Sequence, residues 1–247
     1  MDKPKTIFIG PERTGTTWIY EYLRFRKDVC IPENIKEIYY FDRHYDKGLR
    51  WYLSHWKNCR ERNTIIEVAP TYFRCINAPY RIMKDIGKIT IICTFRDPIK
   101  RAFSHYIHLM KYGYTKNSFR EAIKEFPEII DASRYYTHIK RWIEIFGKEN
   151  IKILFQEKLS EDQNFFVNQI CDYLNLPFLR PPNNLKRRIN KAVLPPNYYI
   201  AKCGNYISNL IRRIGFYEIN EWAREVGLRK YFYGDIERNQ KKCQSLK

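Results

Sequence analysis

Arg13, Thr16 and Thr17 flank Gly15 in the run Gly10-Pro11-Glu12-Arg13-Thr14-Gly15-Thr16-Thr17-Trp18, and these residue types suit a phosphate. A guanidinium neutralises the anion, hydroxyls donate to its oxygens, and glycine lets backbone N–H groups approach it. Gly10 and Gly15 keep the Gly-x4-Gly spacing of a nucleotide phosphate loop, but the Gly-Lys-Ser/Thr ending is missing. Thr16 stands in the lysine's place, and the cation arrives three residues earlier as Arg13. Such a loop fits a phosphate that is not handled as Mg-ATP; the bland alternative is an ordinary βα turn. A second group is Arg96, followed by Asp97-Pro98 and then by Ser104. Its fork can clasp another phosphate, or form a structural turn with Asp97. A third is Lys36-Glu37 beside Tyr39-Tyr40-Phe41. An acid among aromatic rings is open to desolvation and suits proton abstraction, although an aromatic core stretch with two solvated charges has the same composition.

The elements that must position these groups read as alternating strands and helices. Apolar strands are expected at 6–10, 64–68, 89–95 and 151–155, each a short run with turn residues nearby. Helical patterns follow Gly15, start at Pro98 with Asp97 as N-cap, and cover about 118–124, 133–146 and 162–174; Gly147 suits the stop after the fourth. Alternation of this kind implies an α/β, P-loop-like three-layer fold, with a central parallel β-sheet flanked by helices. Ligands then bind at the carboxyl ends of the strands, where the loop after residue 9 and Arg96 both fall. Arg180-Pro181-Pro182-Asn183-Asn184 marks a break, and 198–213 and 218–226 read as helices of a basic C-terminal cap.

Composition narrows the partners. The chain has 247 residues, 44% of them hydrophobic, and reads as one domain with its core at about 4–180 and a cap at 181–247. No apolar run reaches the roughly 20 residues of a membrane span, and the first strand begins at once, so a cytoplasmic protein is expected, with a luminal piece of a longer chain as the alternative. Seven cysteines lie scattered without a Cys-x-x-Cys pair, which favours reduced thiols over a disulfide framework or a zinc site. His105 and His108 alone do not make a metal site. The charge of +18 favours anionic partners, with no motif for nucleic acid beside it.

Taken together, the segments resemble the sulfotransferases that use 3′-phosphoadenosine 5′-phosphosulfate (PAPS). Residues 11–18 are similar to that family's 5′-phosphosulfate loop, Pro-Lys-Ser-Gly-Thr-Thr-Trp. Arg96-Asp97-Pro98 through Arg101-Ala102-Phe103-Ser104-His105-Tyr106 is similar to its 3′-phosphate motif. Lys36-Glu37 with Tyr40-Phe41-Asp42, and Glu67 with Pro70, Tyr72 and Phe73, resemble stretches of the heparan sulfate and related glycan enzymes. The likeness covers about residues 4–180. It departs at Arg13, where the family mostly has Lys, at Tyr39, where a His often sits, and at Val68, where the glycan enzymes place a second active-site Lys.

The resemblance implies in-line sulfuryl transfer from PAPS, leaving adenosine 3′,5′-bisphosphate, without a metal. It assigns Glu37 as general base, with Lys36 and Arg13 beside the reacting group. Arg13, Thr14, Gly15, Thr16, Thr17 and Trp18 would hold the 5′ end, Trp18 by stacking on adenine or else from the core. Arg96 and Ser104 would hold the 3′-phosphate, with 188–191 as a further basic loop. The implied acceptor is a hydroxyl on a glycan or glycolipid, with peripheral membrane contact compatible; a small-molecule or lipid hydroxyl is the alternative. Rival readings are a P-loop kinase or NTPase, a nucleic-acid-binding protein and a nucleotide-binding scaffold without turnover.

Overall fold

The computed structural model describes residues 3–32, 35–59, 64–186, 195, 197–213 and 231–232. Five strands form one all-parallel sheet: β1 Thr6–Ile9, β2 Val29–Cys30, β3 Thr64–Val68, β4 Thr90–Phe95 and β5 Ile151–Phe155. Their order is β2-β3-β1-β4-β5, so β1 is central, with Phe8 opposite Val68 on one side and Ile9 opposite Cys93 on the other. The four longer strands sit where their apolar runs predict. Strand β2 is only two residues long, too short to leave a periodic signal.

The helices among the described residues are α1 Thr16–Phe25, α2 Gly48–Leu53, α3 Ala78–Asp85, α4 Pro98–Lys111, α5 Phe119–Glu125, α6 Glu128–Asp131, α7 Tyr135–Phe146, α8 Gln156–Glu161, α9 Gln163–Leu174 and α10 Tyr198–Arg213. Their caps follow local chemistry. Asp97 Oδ1 accepts from Lys100 N at 2.8 Å, Ser118 and Glu121 close a capping box on α5, and Asp162 Oδ1 accepts from Asn164 N and Phe165 N before α9.

The chain divides into two compact units, Met1–Arg101 with Ala132–Ile189, and Ala102–Asp131 with Asn190–Lys247. The first carries the sheet. Ile7, Ile9, Ile91 and Cys93 pack with Tyr52, Tyr72, Trp142 and Phe146 on one face. Phe8, Ile66, Val68 and Ile92 pack with Trp18, Tyr22, Phe166 and Ile170 on the other. Alternation along β1 thus sends successive side chains into two separate cores, as a sheet covered on both faces requires. The second unit has its own cluster of Ala102, Tyr106, Ile107, Leu109, Ala122 and Ile129. Its α10 buries Ala201 and Gly204 while Tyr199, Tyr206 and Ile207 stay exposed. The expected helix at 218–226 and the basic loop at 188–191 lie outside the described residues.

The expectation of reduced thiols fails for one pair. Cys30 and Cys59 form a disulfide, 5.8 Å apart at Cα and separated by 29 residues. The end of β2 and the chain after α2 are neighbours in space only, which no local spacing announces. Cys75, Cys93, Cys171 and Cys203 are free thiols.

Candidate active site

The loop leaves β1 under tight control. Gly10 has φ 138°, and a Cβ there would lie 2.5 Å from the Thr94 carbonyl oxygen, so only glycine lets β1 and β4 run this close. Thr14 is fully buried; its hydroxyl donates to Pro11 O at 2.8 Å and meets Thr94 Oγ1 at 2.7 Å. Gly15, at φ 93°, ends the loop, and its carbonyl accepts from Trp18 N and Ile19 N at 2.9 and 3.2 Å. Thr16 and Thr17 are therefore the first two residues of α1, where helix N–H groups and the positive end of the dipole face outward. Arg13 itself holds φ 78°, a left-handed conformation costly for a side chain of this type.

Two guanidiniums hold that strained stretch and a third lies beside it. Arg96 Nη1 donates to Arg13 O at 3.3 Å, and Arg101 Nη1 donates to Glu12 O at 3.3 Å. Arg74 Nη2 lies 3.7 Å from the Glu12 carboxylate. Arg101 is fully buried, its Nε fixed by Ser133 Oγ at 2.6 Å. Burial pushes its pKa down to about 10, helped by repulsion from Arg74 and Arg13 and opposed by Tyr135 and Glu12. It still carries its charge at neutral pH. Arg96 is oriented by the residue around it: its carbonyl accepts from Tyr135 OH at 2.6 Å, and Tyr135 stacks on Phe95 at 4.4 Å.

On the β3 side lies the segment with Glu37. Lys36 Nζ donates to Glu37 Oε1 at 2.9 Å, and the Glu37 side chain keeps 15% exposure. The residues that follow are pinned: Tyr40 N and Phe41 N donate to Tyr72 OH at 3.0 and 3.4 Å, Phe41 O accepts from Arg81 Nη1 at 2.8 Å, and Tyr40 OH and Tyr45 OH donate to Asp85. Beneath them is Glu67, fully buried, accepting from Tyr52 OH at 2.7 Å and Tyr72 OH at 2.8 Å. Burial raises its pKa to about 8, and the nearby carboxylates of Asp42 and Glu37 push the same way against the two tyrosine donors.

A sequence model of the sulfotransferase domain matches residues 3–195. The chain belongs to the sulfotransferase family. Among curated sulfotransferases, human heparan sulfate glucosamine 3-O-sulfotransferase 3B1 is 29% identical over 182 residues, covering 70% of this chain and 46% of that protein. Human bifunctional heparan sulfate N-deacetylase/N-sulfotransferase 3 is 27% identical over 194 residues, 70% of this chain and 22% of that protein. The chain thus spans less than half the length of these relatives. A sulfotransferase structure from Alicyclobacillus acidocaldarius superposes with a TM-score of 0.66 at 22% identity, over 77% of this chain and 87% of that one, a match of fold.

In this member of the family, Arg13, Gly15, Thr16, Thr17 and Arg96 meet at the carboxyl ends of β1 and β4. Lys36 and Glu37 form a pair on the β3 side. Thr14 is committed to the β4 contact. Trp18 is 4% exposed, stacks on Tyr22 and donates its indole N–H to Leu185 O at 2.8 Å, so the ring sits in the core. Ser104 lies on α4 in the second unit. Val68 is fully buried among apolar side chains and supplies no charge. Glu67 and Arg101 belong to the motif stretches named above without a role of their own there, and Arg74, one residue past the aromatic run Tyr72-Phe73, carries no motif signal.

Proposed function

We propose that the protein transfers a sulfuryl group from PAPS to a hydroxyl on a glycan. The carrying observation is the loop between β1 and α1, where Arg13 stands and where Arg96 and Arg101 reach the carbonyls of residues 13 and 12, with Arg74 beside the Glu12 carboxylate. That excess of positive charge fits a donor bearing two phosphates and a sulfate. Thr16 in the lysine's place speaks against Mg-ATP. Arg13, Gly15, Thr16 and Thr17 hold the 5′ end; Arg96, and by its motif Ser104, hold the 3′-phosphate. Glu37 takes the acceptor proton while the acceptor oxygen bonds to sulfur, and the sulfur–phosphate oxygen bond breaks with its electron pair leaving on the bisphosphate. Positioning and charge neutralisation supply most of the rate. Lys36, paired with Glu37, orients it.

A glycan acceptor is supported by the two heparan sulfate relatives. The chain acts as a single sulfotransferase domain in this proposal. The Cys30–Cys59 bridge favours an oxidising compartment over the cytoplasm; among the described residues no helix is long and apolar enough to cross a membrane. Incubating the protein with PAPS labelled at sulfur and with heparan sulfate, a glycolipid or a simple phenol should move label to the glycan. Label on the phenol or the lipid alone would replace the acceptor class, and no label on any acceptor from protein that binds PAPS would reduce the chain to a scaffold.

A further inference from the structure

Arg74 follows β3 through the 3₁₀ turn Pro70–Phe73, and so stands at the carboxyl edge of the sheet beside the loop. Its guanidinium is only loosely paired: the nearest carboxylate oxygen of Glu12 is 3.7 Å away, beyond hydrogen-bond reach. Arg74 Nε and Glu12 Oε2 are both buried without a hydrogen-bond partner among the described residues. Buried polar atoms are nearly always satisfied, and a half-made ion pair left unsatisfied beside a phosphate loop marks a place where an anion belongs.

The sheet order says which part of the anion. Strands β3 and β4 flank β1 on opposite sides. Arg96 ends β4 and takes the 3′ side; Arg74 stands on the β3 side, with Glu67, Tyr72 and the pinned segment that carries Glu37. Resting on the reading above, we propose that Arg74 binds the sulfuryl end of PAPS and neutralises the charge that develops there as the bond to phosphate breaks. Glu12 holds the guanidinium in reserve, and the donor's oxygens replace it.

Titration calorimetry on the full chain separates this from a structural role, because PAPS and adenosine 3′,5′-bisphosphate differ by the sulfuryl group alone. Arg74→Gln should weaken PAPS about tenfold or more, the value of a charge-assisted hydrogen bond, while the bisphosphate changes by less than about twofold. Arg74→Lys, which keeps charge but not the fork, should fall between. Unchanged bisphosphate binding also shows that each variant is folded. Equal losses for both ligands would make Arg74 a brace of the loop and overturn the assignment, as would no loss for either. Wild-type protein that binds neither ligand would overturn the nucleotide site itself, a result distinct from either of these.

Discussion

Glu37→Gln should lower sulfuryl transfer by a factor of about 100 or more and leave the affinity for adenosine 3′,5′-bisphosphate within about twofold. The amide keeps the shape of the side chain but cannot take the acceptor proton. The split between turnover and binding follows from geometry: Glu37 sits on the β3 side with Lys36, and the loop that meets the donor is braced from residues 96 and 101. Steady-state rates with saturating PAPS, beside bisphosphate calorimetry, measure both. Turnover near the wild-type value would remove Glu37 from the chemistry, and a parallel loss of bisphosphate binding would make it part of the donor site.

Glu67→Gln should remove a pH dependence of stability worth a few kcal/mol. The folded pKa of about 8 lies above the ordinary carboxyl value of 4.5, so between these values the folded chain holds a proton that the unfolded chain has lost. Stability therefore falls as pH rises from about 4.5 to about 8, and levels off beyond, by an amount on the order of a few kcal/mol for a shift of this size. The tyrosines at 52 and 72 hydrogen-bond the carboxyl, and Asp42 and Glu37 repel its ionised form. Glutamine keeps an oxygen for one tyrosine and has no charge to bury. Urea unfolding at pH 5, 6.5 and 8 measures the slope; the difference between wild type and variant isolates Glu67 from other titrating groups. An identical slope in the two proteins would show that Glu67 ionises freely in the fold.

Much of the fold is legible in the sequence. The apolar runs at 64–68 and 151–155 became strands with those bounds, and Asp97, Ser118 and Asp162 cap helices because short polar side chains reach orphan N–H groups. The helix expected from Ser133 starts at Tyr135 because the Ser133 hydroxyl is taken by Arg101 and Pro98. Short elements escaped. Helix α3 hides behind Pro79, and β2 exists only through its pairing with β3. The loop and its ligating types could be read from spacing, since backbone and side chains there act locally. Glu67 and Arg101 stand in motifs, but their burial and their partners, distant in sequence as Glu12 is from Arg101, could not be read there, and Arg74 carries no motif signal. Burial raises the pKa of two acids among these aromatic rings, Asp42 in the segment itself and Glu67 one layer beneath it.

The most direct measurement is a thermal shift with adenosine 3′,5′-bisphosphate, set beside ATP with and without Mg. At about 100 times Kd a specific ligand adds roughly 2.7 kcal/mol, which should raise Tm by about 5–10 °C in a chain of this size. The account predicts that shift with the bisphosphate and little with Mg-ATP. A shift with Mg-ATP alone would contradict it and promote a kinase or NTPase.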